Sequence, residues 1–122
     1  MRDRIMPAPH IKTAIPRQRH QIGNFIATIL ADIESSDPIE YRYIMAIVED
    51  GQKKPTLFVT SERNTGPEAS EGRYRLRVIM GSEEKELTPS DEWGDLERFS
   101  LAGLGIVAKL MDLYDEQPVR LM

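Results

Sequence analysis

From Arg73 to Leu87 the side chains alternate between apolar and charged, and this alternation narrows the possible folds more than any other feature. Tyr74, Leu76, Val78 and Met80 fall on one side of an extended chain, and Arg73, Arg75 and Arg77 on the other. A period of two marks a strand with one covered face. Gly81-Ser82 follows, then Glu83-Glu84-Lys85-Glu86-Leu87. A two-residue turn with glycine first suits a type II′ hairpin. That turn sets Met80 against Glu83, Arg77 against Glu86 and Leu76 against Leu87. The chain therefore contains antiparallel sheet.

Two further segments extend that sheet. Glu40–Glu49 is apolar on both sides at its middle, which predicts a central strand. Asp50-Gly51 opens a polar turn, and Thr56–Thr60 returns as a strand rich in β-branched and aromatic types. The 62–72 segment is long for a hairpin link.

Helices are expected at both ends. After Pro16, apolar residues recur at Ile22, Phe25, Ile26, Ile29, Leu30 and Ile33, in steps that fit a helical stripe. Its charges oppose the helix dipole, with Arg17, Arg19 and His20 at the start and Asp32 and Glu34 at the end. Thr88-Pro89-Ser90-Asp91 is a helix-start signal, and the stripe Trp93, Leu96, Phe99 opens a helix running to Tyr114. Gly103 and Gly105 predict a break near Ser100–Gly105. The tail 119–122 is apolar enough to dock as a short strand.

With 122 residues, the chain has the length of one domain. Without cysteine, it has no disulfide, thiolate metal site or cysteine nucleophile. No apolar run reaches the ~20 residues of a membrane span, and the basic start lacks a signal-peptide core, so a cytoplasmic location is expected. Charge is unevenly spread. Residues 1–20 carry five basic groups and one acid, a net of +4, and the remainder carries a net of −8. An acidic body argues against nucleic-acid binding, whereas the arm bearing Arg2, Arg4, Lys12, Arg17 and Arg19 suits an acidic partner.

Candidate chemistry is sparse. Gly103–Ala108 fits G-x-G-x-x-A, but helical residues precede it and too little chain follows for the next strand and its ribose ligand. His10 and His20 share no metal-ligand spacing. Glu84 and Glu86 align on an exposed hairpin with no cleft to separate their pKa values. Arg73, Arg75 and Arg77 stand ~6.6 Å apart and are candidate anion or partner contacts on a solvated face. Leu104, Val107, Met111 and Tyr114 widen the C-terminal stripe beyond one sheet contact and are candidate subunit contacts.

The expected architecture is α+β: a four-stranded antiparallel meander, with an N-terminal helix and a C-terminal helix or broken helix pair on one face. A basic arm at 1–15 precedes a single domain at 16–122. The expected function is a non-enzymatic, homodimeric protein–protein interaction module with no cofactor, metal or membrane partner. The alternative is a regulatory domain that binds a small anionic ligand or nucleotide.

Overall fold

A computed structural model describes residues 8–65, 71–113 and 115–122. Its strands are β1 (Ile11–Ile22), β2 (Phe25–Ser35), β3 (Tyr41–Glu49), β4 (Leu57–Arg63), β5 (Tyr74–Met80), β6 (Glu83–Glu86) and β7 (Val119–Arg120). One α-helix, α1 (Leu96–Leu110), follows a 3-10 turn at Asp91–Gly94. The strands form one antiparallel sheet in the order β6-β5-β4-β3-β2-β1-β7. No helix among the described residues is long and apolar enough to cross a membrane.

This overturns the expected four-stranded meander flanked by two helices. The N-terminal helix does not exist, and its residues form the hairpin β1–β2. Gly23-Asn24 is the turn, with Ile22 paired to Phe25 and Gly23 at φ +58, where a side chain would be strained. β2 is apolar on both sides, and a doubly apolar strand imitates a helical stripe when read by spacing alone. The charges that opposed a helix dipole sit comfortably in the hairpin: Arg17 meets Asp32 at 2.9 Å. Pro16 falls at a shift in the β1–β2 register, where its missing N–H costs little. β1 begins at Ile11, inside the stretch read as an arm.

The C-terminal half follows the sequence more closely. β5 pairs with β6 so that Met80 faces Glu83 and Arg77 faces Glu86, with Gly81 at φ +61 in the turn. The helical region breaks before Asp95, not within Ser100–Gly105. Ser90 Oγ accepts from the Glu92 N–H, and Asp95 caps α1 by accepting from the Arg98 N–H. α1 then runs unbroken through both glycines. The tail docks as β7, whose Arg120 and Val119 pair with His20 and Gln21 of β1.

α1 covers one face of the sheet. Phe99, Leu104 and Val107 pack on Ala27, Ile29, Met45, Ile47, Val59 and Leu76, all of them buried. A Cβ on Gly103 would lie 2.6 Å from Met45 Cε, so glycine here lets helix and sheet meet closely. Tyr43 stacks on Phe99 with ring centres 5.4 Å apart. The opposite face carries Ile44 and Ile79, both buried although outside this core.

Candidate functional site

A groove of about 500 Å³ lies between α1 and the β5–β6 hairpin. Its walls follow from two periodicities. On β5, alternation aims Val78 at the helix side, and the chain after β6 adds Leu87. On α1, Ala102 and Ile106 stand one turn apart and face the hairpin. Met80 and Leu110 form the rim and remain 38% and 47% exposed. Lys85 and Lys109 also line the groove, and neither meets a carboxylate among the described residues. Glu84, by contrast, is held by Arg77 at 2.8 Å. Gly105 lies along the same wall, exposed, and a Cβ there would meet nothing within 4 Å.

The predicted contact residues are distributed differently. Leu104 and Val107 are buried in the chain's own core, and Met111 packs against it; Tyr114 lies outside the described residues. The apolar side chains that α1 leaves outward are Leu101, 73% exposed, and Leu110. Spacing missed this because a helical stripe gives a direction only after the sheet position is known. Arg2 and Arg4 also lie outside the described residues. Lys12, Arg17 and Arg19 sit on β1.

Arg73, just before β5, and Arg75 and Arg77 on it do not form an open row. Arg73 bonds Asp91 through its backbone N–H and approaches it with its side chain at 3.5 Å. Arg75 and Arg77 converge on Glu62, which is fully buried; Arg75 reaches Oε1 at 3.2 Å and Arg77 reaches Oε2 at 2.7 Å. Glu86 and Glu84 take the outer ends of Arg75 and Arg77. Thr60 Oγ1 donates to the same Glu62 carboxylate. Arg77 keeps only 6% of its side chain exposed, so the expected solvated face is sealed here. Burial works against its charge, but the Glu84 hydrogen bond and the nearby Glu62 charge win and raise its pKa above the ordinary arginine value. With three carboxylates around two guanidinium groups, the cluster offers little to a free anion. Glu62 was the missed residue; its signal was an acid standing two positions beyond a strand-like run at Thr56–Thr60.

A second polar chain joins sheet and helix. Gln18 Nε2 donates to Glu97, Gln18 Oε1 lies 2.9 Å from His20 Nε2, and Ser100 Oγ lies 3.3 Å from that same nitrogen. A serine beside a histidine suggests a nucleophile and its base. Both are buried, and Ser100 lines neither described cavity. The arrangement ties β1 to α1. Burial, aided by the Arg120 charge and partly opposed by Glu97, lowers the His20 pKa.

A smaller cavity of about 330 Å³ lies at the sheet end among Asp32, Glu40, Tyr41, Arg42, Arg63 and Tyr74. Arg42 is engaged by the Gly94 carbonyl and lies over the Tyr43 ring, and Tyr41 donates to Asp37. Burial first, and that hydrogen bond second, raise the Tyr41 pKa. No cluster of metal-ligating groups occurs among the described residues. Comparison with protein-family models, with curated proteins and with solved structures returned no match.

Proposed function

We propose that this chain is a non-enzymatic protein-binding module, and that the groove between α1 and β5–β6 receives a partner segment. The observation that carries the reading is an apolar groove of about 500 Å³ with Met80 and Leu110 left at its rim. An apolar wall framed by polar rim groups is the common form of a recognition surface. With Glu84 held by Arg77, Lys85 and Lys109 outnumber the remaining lining acid, Glu83, and favour a segment with two or three apolar anchors and an acidic flank. Gly105 supports the same reading. A mid-helix glycine costs about 1 kcal/mol relative to alanine, and nothing among the described residues uses the space it leaves.

Peptide display against the purified chain tests this. Enriched sequences should combine apolar anchors with Asp or Glu. Their binding should weaken at least tenfold in Ile106→Glu and measurably in Lys85→Glu/Lys109→Glu. Failure to enrich peptides, or enrichment of peptides indifferent to both variants, overturns it. A second reading, a small amphipathic acid, is favoured by the volume, which lies within the range of small-molecule sites. A thermal-shift series with dodecanoate separates the two. A ligand at 100 times its dissociation constant adds about 2.7 kcal/mol to stability, visible as a raised midpoint.

A further inference from the structure

Strand β6 ends the sheet beside the groove, and its outer edge is unpaired among the described residues. The Leu87 N–H donates to the Leu76 carbonyl at 2.9 Å. Bonded and non-bonded pairs alternate along an antiparallel ladder, so Val78–Lys85 and Met80–Glu83 are the next bonded pairs. Glu84 and Glu86 therefore aim their backbone N–H and C=O groups off the sheet, and no described group bonds them there. Beyond them the Thr88 carbonyl is taken by Trp93 Nε1 at 3.1 Å, which closes the edge. Side chains alternate as well. Glu83 and Lys85 stand with Met80 and Val78 on the groove side, while Glu84 and Glu86 lie on the other face, held by Arg77 and Arg75.

We propose that the partner segment adds to β6 as an extended, antiparallel strand and places every second side chain in the groove. This rests on the reading of the groove as a recognition surface and names the form of what it receives. A row of free backbone groups is a template for another strand. Such a strand lies ~4.8 Å beyond β6, and its side chains opposite Glu83 and Lys85 rise toward Ile106 and the open space at Gly105. One extended guest thus uses both the backbone edge and the apolar wall, which a helical guest does not. A second copy is a poor guest. Antiparallel pairing of β6 with its own copy sets glutamate against glutamate whether the two-fold axis passes Glu84, Lys85 or Glu86, and at Lys85 it also sets lysine against lysine. The guest is therefore a foreign segment that alternates apolar residues toward the groove with lysine or threonine toward Glu84 and Glu86, and carries an acid at its flank for Lys85 or Lys109.

The probe is a short peptide that alternates leucine with threonine and ends in aspartate, followed by fluorescence polarisation. It should bind the wild-type chain. N-methylation of its threonine amides, which face Glu84 and Glu86, should weaken binding at least tenfold. N-methylation of its leucine amides, which point to solvent, should change it by less than about threefold. Saturation with the unmodified peptide should also slow hydrogen exchange at the Glu84 and Glu86 amides. Glu86→Pro removes one of those N–H groups at an edge, where proline is tolerated, and should weaken capture at least tenfold. The methylated series uses the unaltered chain, so it decides the matter even if Glu86→Pro fails to fold. Equal effects from the two methylated sets, loss from the leucine set alone, or unchanged exchange at Glu84 and Glu86 overturns the added strand. Display-selected peptides that bind and respond to Ile106→Glu, while the alternating peptide does not bind, sink the strand and leave the groove reading standing. If no peptide of either kind binds, both fall.

Discussion

Glu62 joins two arginines inside the sheet. It is fully buried with two guanidinium groups aimed at it, so Glu62→Gln leaves Arg77 charged in a site with little solvent. Breaking a buried pair from one side typically costs 3–5 kcal/mol, more than the pair itself contributes. Because Glu84 still holds Arg77 at 2.8 Å, urea unfolding should show a smaller loss, about 1–3 kcal/mol, and a Glu62→Leu/Arg77→Met double variant should recover most of it. A smaller loss in the double than in the single variant is the decisive comparison. The two helical glycines offer a second contrast. Gly103→Ala brings a methyl to 2.6 Å from Met45 Cε, the far end of a flexible side chain that can shift, so the packing cost offsets the helix-propensity gain and stability should change by less than about 1 kcal/mol. Gly105→Ala meets open space and should raise stability by up to about 1 kcal/mol while weakening peptide capture in the groove. A gain at Gly105→Ala that exceeds the change at Gly103→Ala, half a turn away, is the readout by thermal melting.

At the scale of elements, the β5–β6 hairpin was legible down to its register because alternation, turn glycine and charge pairing all agreed. β1–β2 was not, because two signals conflicted. Apolar spacing favoured a helix, whereas β-branched content, Gly23-Asn24 and the reversed charge order favoured a hairpin. Sheet neighbours on both sides of β2 decided the matter, and no local window contains them. The groove was illegible for a related reason, since it forms between segments that meet only after folding. The link from β1 to α1 makes its own prediction. Because His20 has a lowered pKa, the unfolded chain binds a proton more readily than the folded one just below the ordinary value of 6.5. Stability from this group is therefore complete above pH 6.5 and falls as pH drops toward the folded-state pKa. Urea midpoints measured from pH 7.5 to 5 should decline, and His20→Gln should flatten that part of the decline.

For the molecule as a whole, the consequential feature is where the chain's last residues go. β7 joins the sheet beside β1, the strand nearest the start of the described chain, and so ties the two ends together. The Leu121 N–H donates to the Arg19 carbonyl at 2.7 Å, and the Arg19 N–H donates to the Met122 carbonyl at 3.2 Å. Removing residues 119–122 would delete these bonds, each worth roughly 1 kcal/mol net, and strip Arg120 from beside His20. Three outcomes follow together. Stability should fall by about 1–3 kcal/mol. The pH dependence below 6.5 should shrink, because one of the influences that lowers the His20 pKa is gone. Truncation lengthens the unpaired edge of β1 by Arg19–Gln21, so edge pairing should increase; it grows with concentration and differs from a closed dimer in having no fixed mass. Sedimentation velocity separates the two forms of association. If the truncated chain keeps both its stability and its full pH slope, then β7 contributes nothing to the sheet and the tie between the two ends is cosmetic.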